Sequence, residues 1–179
     1  KGDKTMEFLP KPKQMEYHTG HLRPGSQTKI VLCGTEPGAC LYAQMLQKEL
    51  KEEAGLSLDI LRALRPTESG DIILGLDQKL EKDHYQLTVA EDRILLAAGG
   101  DESLCNGVQT LCQVIQLHGA VLPCLSITDW PDLQNRGYYM DCSRGRVPKL
   151  SYLKEVADLL CRFKVNQWQL YIEHTYLFR

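Results

Sequence analysis

Arg136-Gly137-Tyr138-Tyr139-Met140-Asp141-Cys142-Ser143-Arg144, then Val147-Pro148, then Asn166-Gln167-Trp168-Gln169-Leu170-Tyr171-Ile172-Glu173, are the stretches on which the reading of this 179-residue sequence turns. Residues 136–141 read as a strand whose two tyrosines point to opposite faces. Ser151 can cap a helix whose apolar positions Leu153, Val156, Ala157 and Leu160 fall on one side. Residues 167–172 alternate as a second strand, with Trp168 on the face opposite Gln167 and Gln169. A connection of that length makes the two strands parallel, with a right-handed crossover. A lone β-α-β leaves strand edges and one sheet face uncovered, so it must dock on something or continue.

Upstream the pattern differs. The first thirty residues, rich in Lys, Pro and Gln, read as an irregular lead-in with at most a short strand. Ile30 to Cys33 is an apolar burst, followed by a Gly/Pro turn (Gly34, Pro37, Gly38) and a helix with Leu41, Met45, Leu46 and Leu50 on its apolar face. Short runs at 58–61, 72–76, 85–89 and 94–98 predict four strands, paired antiparallel in succession. Asp101 and Glu102 open a second helix carrying Leu104, Val108, Leu111 and Ile115, which ends near His118 and Gly119. The expected fold is therefore α+β: an antiparallel-rich sheet with both helices on one face, then the β-α-β unit. Pro123 to Gln134 breaks the periodicity, and the domains are placed at 1–124 and 125–179.

Composition excludes several function classes. Hydrophobic residues make up 43% and charged residues 25%, which is ordinary globular usage. With 21 Lys plus Arg against 23 Asp plus Glu the net charge is -2, so no basic field favours nucleic acid or an anionic membrane surface, and neither partner is expected. No apolar run reaches the roughly 20 residues that span a bilayer. Seven cysteines without a CxxC point to a reducing compartment, and a cytoplasmic location is expected.

Taken together, the Arg-Gly, Asp-x-Ser-Arg and Asn-x-x-x-Leu spacing of residues 136–173 resembles the first strand, helix and second strand of family 20 glycoside hydrolases, the β-N-acetylhexosaminidases. Gly107-Val108-Gln109-Thr110-Leu111 and Ile127-x-Asp129-x-Pro131 resemble the end of that family's N-terminal α+β domain. The resemblance implies an accessory domain followed by the opening β-α-β of a (β/α)8 barrel, a fold of roughly 250 residues, so the chain is expected to be a truncated piece. It implies removal of terminal N-acetyl-β-hexosamine from glycans by substrate-assisted retaining hydrolysis, in which an Asp orients the substrate's acetamido group and a Glu protonates the leaving oxygen. That pair belongs to the fourth barrel strand, so no catalytic residue is assigned here and the fragment itself is expected to be inactive. No metal or organic cofactor is implied.

Arg144 matches the family's substrate-binding arginine at the C-terminal end of the first strand, where a planar guanidinium suits adjacent sugar hydroxyls. Glu173, and beside it His174, are the further candidates on that rim. This second strand departs from the family's His-x-His and acidic pair, carrying Gln167, Gln169, Ile172 and Glu173 instead. The rival reading of Arg144 is a structural ion pair with Asp141. The rival reading of the chain is a non-catalytic carbohydrate-binding or scaffolding module, which would join all strands into one sheet and bury Arg144. The fragment's exposed barrel surfaces predict self-association as a homodimer.

Four other groupings have plain readings. Asp101-Glu102 sits in a first helical turn and complements its dipole. His18 and His21 are surface histidines without further ligands. Cys105 and Cys112 lie one heptad apart on a packed helix face. Gly34 to Gly38 lacks the Lys-Ser/Thr of a phosphate loop, so no nucleotide is expected.

Overall fold

A computed structural model describes residues 7–34, 38–63, 70–144 and 147–173. Its elements run β1 (Gln14–Leu22), β2 (Lys29–Cys33), α1 (Ala39–Ala54), β3 (Asp59–Ala63), β4 (Ile72–Leu76), β5 (Tyr85–Val89), β6 (Ile94–Ala98), α2 (Asp101–His118), β7 (Leu122–Asp129), β8 (Gly137–Asp141), α3 (Leu150–Arg162) and β9 (Gln167–Tyr171). The chain divides into two units, 1–131 and 132–179. The division expected after residue 124 falls inside β7, whose hydrogen bonds tie it to the first unit.

The first unit is α+β, as expected, but its sheet is mixed. Its order is β1-β7-β5-β6-β4-β2-β3, with β3, β2, β4 and β6 mutually parallel and β6, β5, β7 and β1 antiparallel. Of the four strands expected to pair in succession, only β5 and β6 do so. The reason lies in β2 and β4: Ile30, Val31 and Leu32, and Ile72, Ile73 and Leu74, are all buried, so both strands are apolar on both faces and take central places. β2 returns through α1 to β3 beside it, and β4 occupies its other side.

Two strands lie where irregular chain was expected. β1 is a nine-residue edge strand, and its exposed polar residues suit an edge that must not recruit another sheet. β7 contains Pro123, which pairs with His21 beyond an irregularity in β1 that separates Tyr17 from His21, a place where a missing N–H costs little.

Both helices feed the core on one side of the sheet, with Ile30, Leu32, Leu74, Leu96, Leu125 and Ile127 opposite them. In α2 the expected stripe Leu104, Val108, Leu111 and Ile115 is buried. In α1 the buried stripe is Ala39, Ala43, Leu46 and Leu50, and Leu41 is exposed, because small residues at 39 and 43 let the helices approach. Gly55 closes α1 in the left-handed region (φ 70), where a side chain would be strained. Among the described residues no helix is long and apolar enough to cross a membrane.

The second unit holds β8 and β9 as a two-stranded parallel sheet, paired from Gly137↔Gln167 to Asp141↔Tyr171, with α3 between them in sequence. Lys149, not Ser151, occupies the N-cap of α3, and it makes no side-chain capping bond.

Candidate functional site

The parallel register of β8 and β9 brings both strands to an end at the same level. Asp141 and Tyr171 are partners, and alternation places Tyr139, Asp141, Gln169 and Tyr171 on one face. Tyr139 and Tyr171 meet on that face, with ring centroids 5.9 Å apart. Beyond Asp141 the chain turns sharply, because one Asp141 carboxylate oxygen accepts the backbone N–H of Ser143 at 2.8 Å and of Arg144 at 3.1 Å. This is the local bonding for which aspartate is favoured in turns.

The turn is then stitched to the end of β9. Cys142 N–H donates to the Tyr171 carbonyl at 3.0 Å, and Ser143 Oγ donates to the same carbonyl at 3.3 Å. Ser143 Oγ in turn accepts the Glu173 N–H at 2.6 Å. Arg144 and Glu173, twenty-nine positions apart in sequence, thereby become neighbours.

Arg144 Nε lies 3.5 Å from Glu173 Oε2 and 3.8 Å from Asp141 Oδ2. Its carbon Cζ stands 5.3 Å above the Tyr171 ring, and Nη2 donates to the Tyr171 hydroxyl at 3.4 Å. The Arg144 side chain nevertheless keeps 66% exposure, against 31% for Asp141 and 35% for Glu173. A guanidinium balanced by two carboxylates and still open to solvent retains donors for a ligand, and the carboxylates retain acceptors. The Tyr139 phenol, at the same site, is raised above its ordinary value by desolvation, then by Asp141 and Tyr171, with Arg144 opposing.

The structure thus brings Arg144 and Glu173 together. His174 lies outside the described residues. The ion pair with Asp141 exists, but it coexists with an exposed guanidinium. β8 and β9 form a sheet separate from the seven-stranded one, unlike the continuous sheet that a self-contained binding module requires. Sequence reasoning did not single out Tyr171 or Ser143. Tyr171 stands level with Asp141, which only the register reveals.

The other groupings are structural. Asp101 accepts a hydrogen bond from the Tyr42 hydroxyl at 2.9 Å, and His18 bonds Ser126 at 2.9 Å. Cys112 is buried and Cys105 half-buried on α2, and none of the seven cysteines is in a disulfide. Of the Gly34 to Gly38 turn, residues 35–37 lie outside the described ones. Trp168 is half-buried, with its indole nitrogen shielded from solvent, while Tyr138 and Tyr139 are exposed. Among the described residues, Glu81, Asp83 and His84 are the one trio of metal-ligating side chains close together. There His84 Nδ1 bonds Asp83 at 2.7 Å and the ring stacks on Trp130 at 4.9 Å, which accounts for its position without an ion.

Comparison with known proteins places the chain in a family. The family model described as glycosyl hydrolase family 20, domain 2, matches residues 5–130. Beta-hexosaminidase B of Pseudoalteromonas piscicida is 24% identical over 174 residues, 95% of this chain and 21% of that protein. Beta-hexosaminidase of Akkermansia muciniphila is 38% identical over 96 residues, 52% of this chain and 19% of that protein. Among solved structures, an inactive variant of the family 20 exo-β-N-acetylglucosaminidase of Vibrio harveyi aligns with a TM-score of 0.76 at 25% identity, covering 90% of this chain and 25% of the other. A Streptomyces plicatus β-hexosaminidase variant shares the fold with a TM-score of 0.77 at 21% identity, covering 91% and 34%. The chain spans about a fifth of the length of these curated relatives and a quarter to a third of these solved chains. With its first unit matched almost end to end, the chain belongs to glycosyl hydrolase family 20.

Proposed function

We propose that these residues are the accessory sheet unit and the opening β-α-β of the catalytic barrel of a β-N-acetylhexosaminidase. The whole protein removes terminal N-acetyl-β-hexosamine from glycans, with retention, through the substrate's own acetamido group. In this reading Arg144 donates to hydroxyls of the terminal sugar and Glu173 accepts from one, while Asp141 holds the turn that carries Arg144. The 179 residues alone bind weakly and do not turn over, because the acid Glu and the orienting Asp belong to a later strand.

The observation that carries the proposal is the convergence of Arg144 and Glu173 beyond the carboxyl ends of two adjacent parallel strands, in a sheet of their own. That end of a (β/α)8 barrel is where its sites are built. The names of the relatives, β-hexosaminidases and an exo-β-N-acetylglucosaminidase, support the choice of sugar.

The test is release of the chromophore from an aryl N-acetyl-β-glucosaminide by the full-length parent, by the 179-residue chain and by an Arg144→Ala parent. The parent turns over, the 179-residue chain does not, and Arg144→Ala lowers kcat/KM about tenfold to hundredfold, the scale of a lost charge-assisted hydrogen bond. A folded parent that ignores both this substrate and its galacto epimer refutes the proposal.

A further inference from the structure

We infer that Tyr171 is a positioning residue for Arg144: its ring and hydroxyl set where the guanidinium stands, so that this tyrosine governs affinity for the sugar without touching the reacting atoms. The inference rests on the sugar-binding role proposed above for Arg144. Its grounds are three contacts from one residue. The Tyr171 ring lies beneath Arg144 Cζ at 5.3 Å, within the range of a cation–π contact. Its hydroxyl accepts from Arg144 Nη2 at 3.4 Å. Its carbonyl receives Cys142 N–H and Ser143 Oγ, which anchors the turn that carries Arg144.

The carboxylates alone cannot do this. Asp141 and Glu173 both approach Nε, at 3.8 and 3.5 Å, so their contacts lie at the near end of the guanidinium and not at its terminal nitrogens. The ring beneath Cζ and the hydroxyl at Nη2 add contacts at the centre and far end of the fork. A flat fork must be pre-oriented to meet two adjacent hydroxyls at once, and a fork free to swing pays for orientation on binding. Tyr139, tilted 35° to Tyr171 at 5.9 Å, buttresses the ring from the side.

Two measurements test this. In the full-length parent, NMR of the Arg144 side chain reads the ring directly: its Nε–H and δ-methylene protons shift upfield of free arginine and show nuclear Overhauser contacts to the Tyr171 ring. Free-arginine shifts without those contacts overturn the proposal with no variant required. In the full-length parent, Tyr171→Leu raises KM for the aryl N-acetyl-β-glucosaminide roughly twofold to fivefold, the scale of an exposed cation–π contact, with kcat nearly unchanged. Tyr171→Phe, which keeps the ring, recovers most of that loss. The double variant Arg144→Ala/Tyr171→Leu binds no worse than Arg144→Ala alone, since Tyr171 acts through Arg144. If Arg144→Ala raises KM but Tyr171→Leu does not, or if the two effects multiply, the positioning role is wrong. If Arg144→Ala leaves KM unchanged, the sugar-binding reading itself has failed.

Discussion

Asp129 shows how a residue with a strong sequence signal can serve structure. In the 127–131 motif it could be taken for a site acid, yet it is buried, accepting the Tyr85 hydroxyl at 2.8 Å on one oxygen and Lys13 N–H at 3.1 Å on the other. Thr110 Oγ1 lies 2.6 Å from the same phenol oxygen, so one buried tyrosine joins β5, β7 and α2. Tyr85→Phe leaves the Asp129 oxygen without that donor and should cost about 1–3 kcal/mol, seen as a drop of several degrees in Tm. The phenol is held well above its ordinary value of 10.0, by burial first and by Asp129 second. The native state therefore keeps a proton that the unfolded chain releases above about pH 10, so this stability is complete below that pH and declines as pH rises beyond it. Denaturant titrations at pH 8 to 11 should show a steeper alkaline loss for the parent sequence than for Tyr85→Phe; parallel curves would refute the assignment. At the candidate site, Arg144 was named from the resemblance to the family's motif and Glu173 from its place at the end of the second strand. Tyr171 was not, since nothing local reveals that it sits level with Asp141.

Elements were legible where periodicity alone decides them. β4, β5, β6 and α2 lie where the sequence puts them, because each is an apolar run or stripe bounded by Gly or charged residues. β1 and β7 were hidden: β1 is an exposed edge whose partner lies a hundred or more residues away, and β7 carries a proline at its second residue. Strand order was hidden for the same reason, although the unbroken apolar runs of β2 and β4 carried the sign of central parallel strands. Gly107 shows packing overruling propensity. It lies within α2, where alanine would be favoured by about 1 kcal/mol. A Cβ there would run into Leu96 Cδ1 and come within 3.1 Å of Leu96 Cδ2 and Tyr85 Cδ2. Leu96 and Tyr85 are themselves fully buried in β6 and β5, so neither can yield cheaply. Gly107→Ala is expected to destabilise by about 1–3 kcal/mol despite the better helix former, because overpacking outweighs propensity. A variant as stable as the parent sequence in urea would show that the α2–sheet contact is looser than described.

At the scale of the whole molecule the two units differ in how much core each possesses. The first has an extended cluster on one side of its sheet, running from Phe8 to Ile127. In the second, the described buried residues are Cys142, Val156 and Lys164, whereas Leu133, Tyr138, Tyr139, Val147, Leu150, Leu159, Phe163 and Leu170 are exposed. Two parallel strands and one helix cannot stabilise themselves with so little buried apolar surface. The units should therefore open separately. Native-state hydrogen exchange should find amides of the second unit, such as Cys142 N–H on Tyr171 O and Asn166 N–H on Arg136 O, exchanging at least a hundredfold faster than those of β2 and β4. Limited proteolysis should cut first beyond Pro131 and leave the first unit resistant. The same exposed residues give self-association a measurable signature: if copies cover one another's β8 and β9, protection of the Cys142 and Asn166 amides rises with protein concentration while β2 and β4 are unaffected. Equal protection in both units at low concentration would contradict the unequal cores, and would mean that the 132–179 region folds as one cooperative body with the rest.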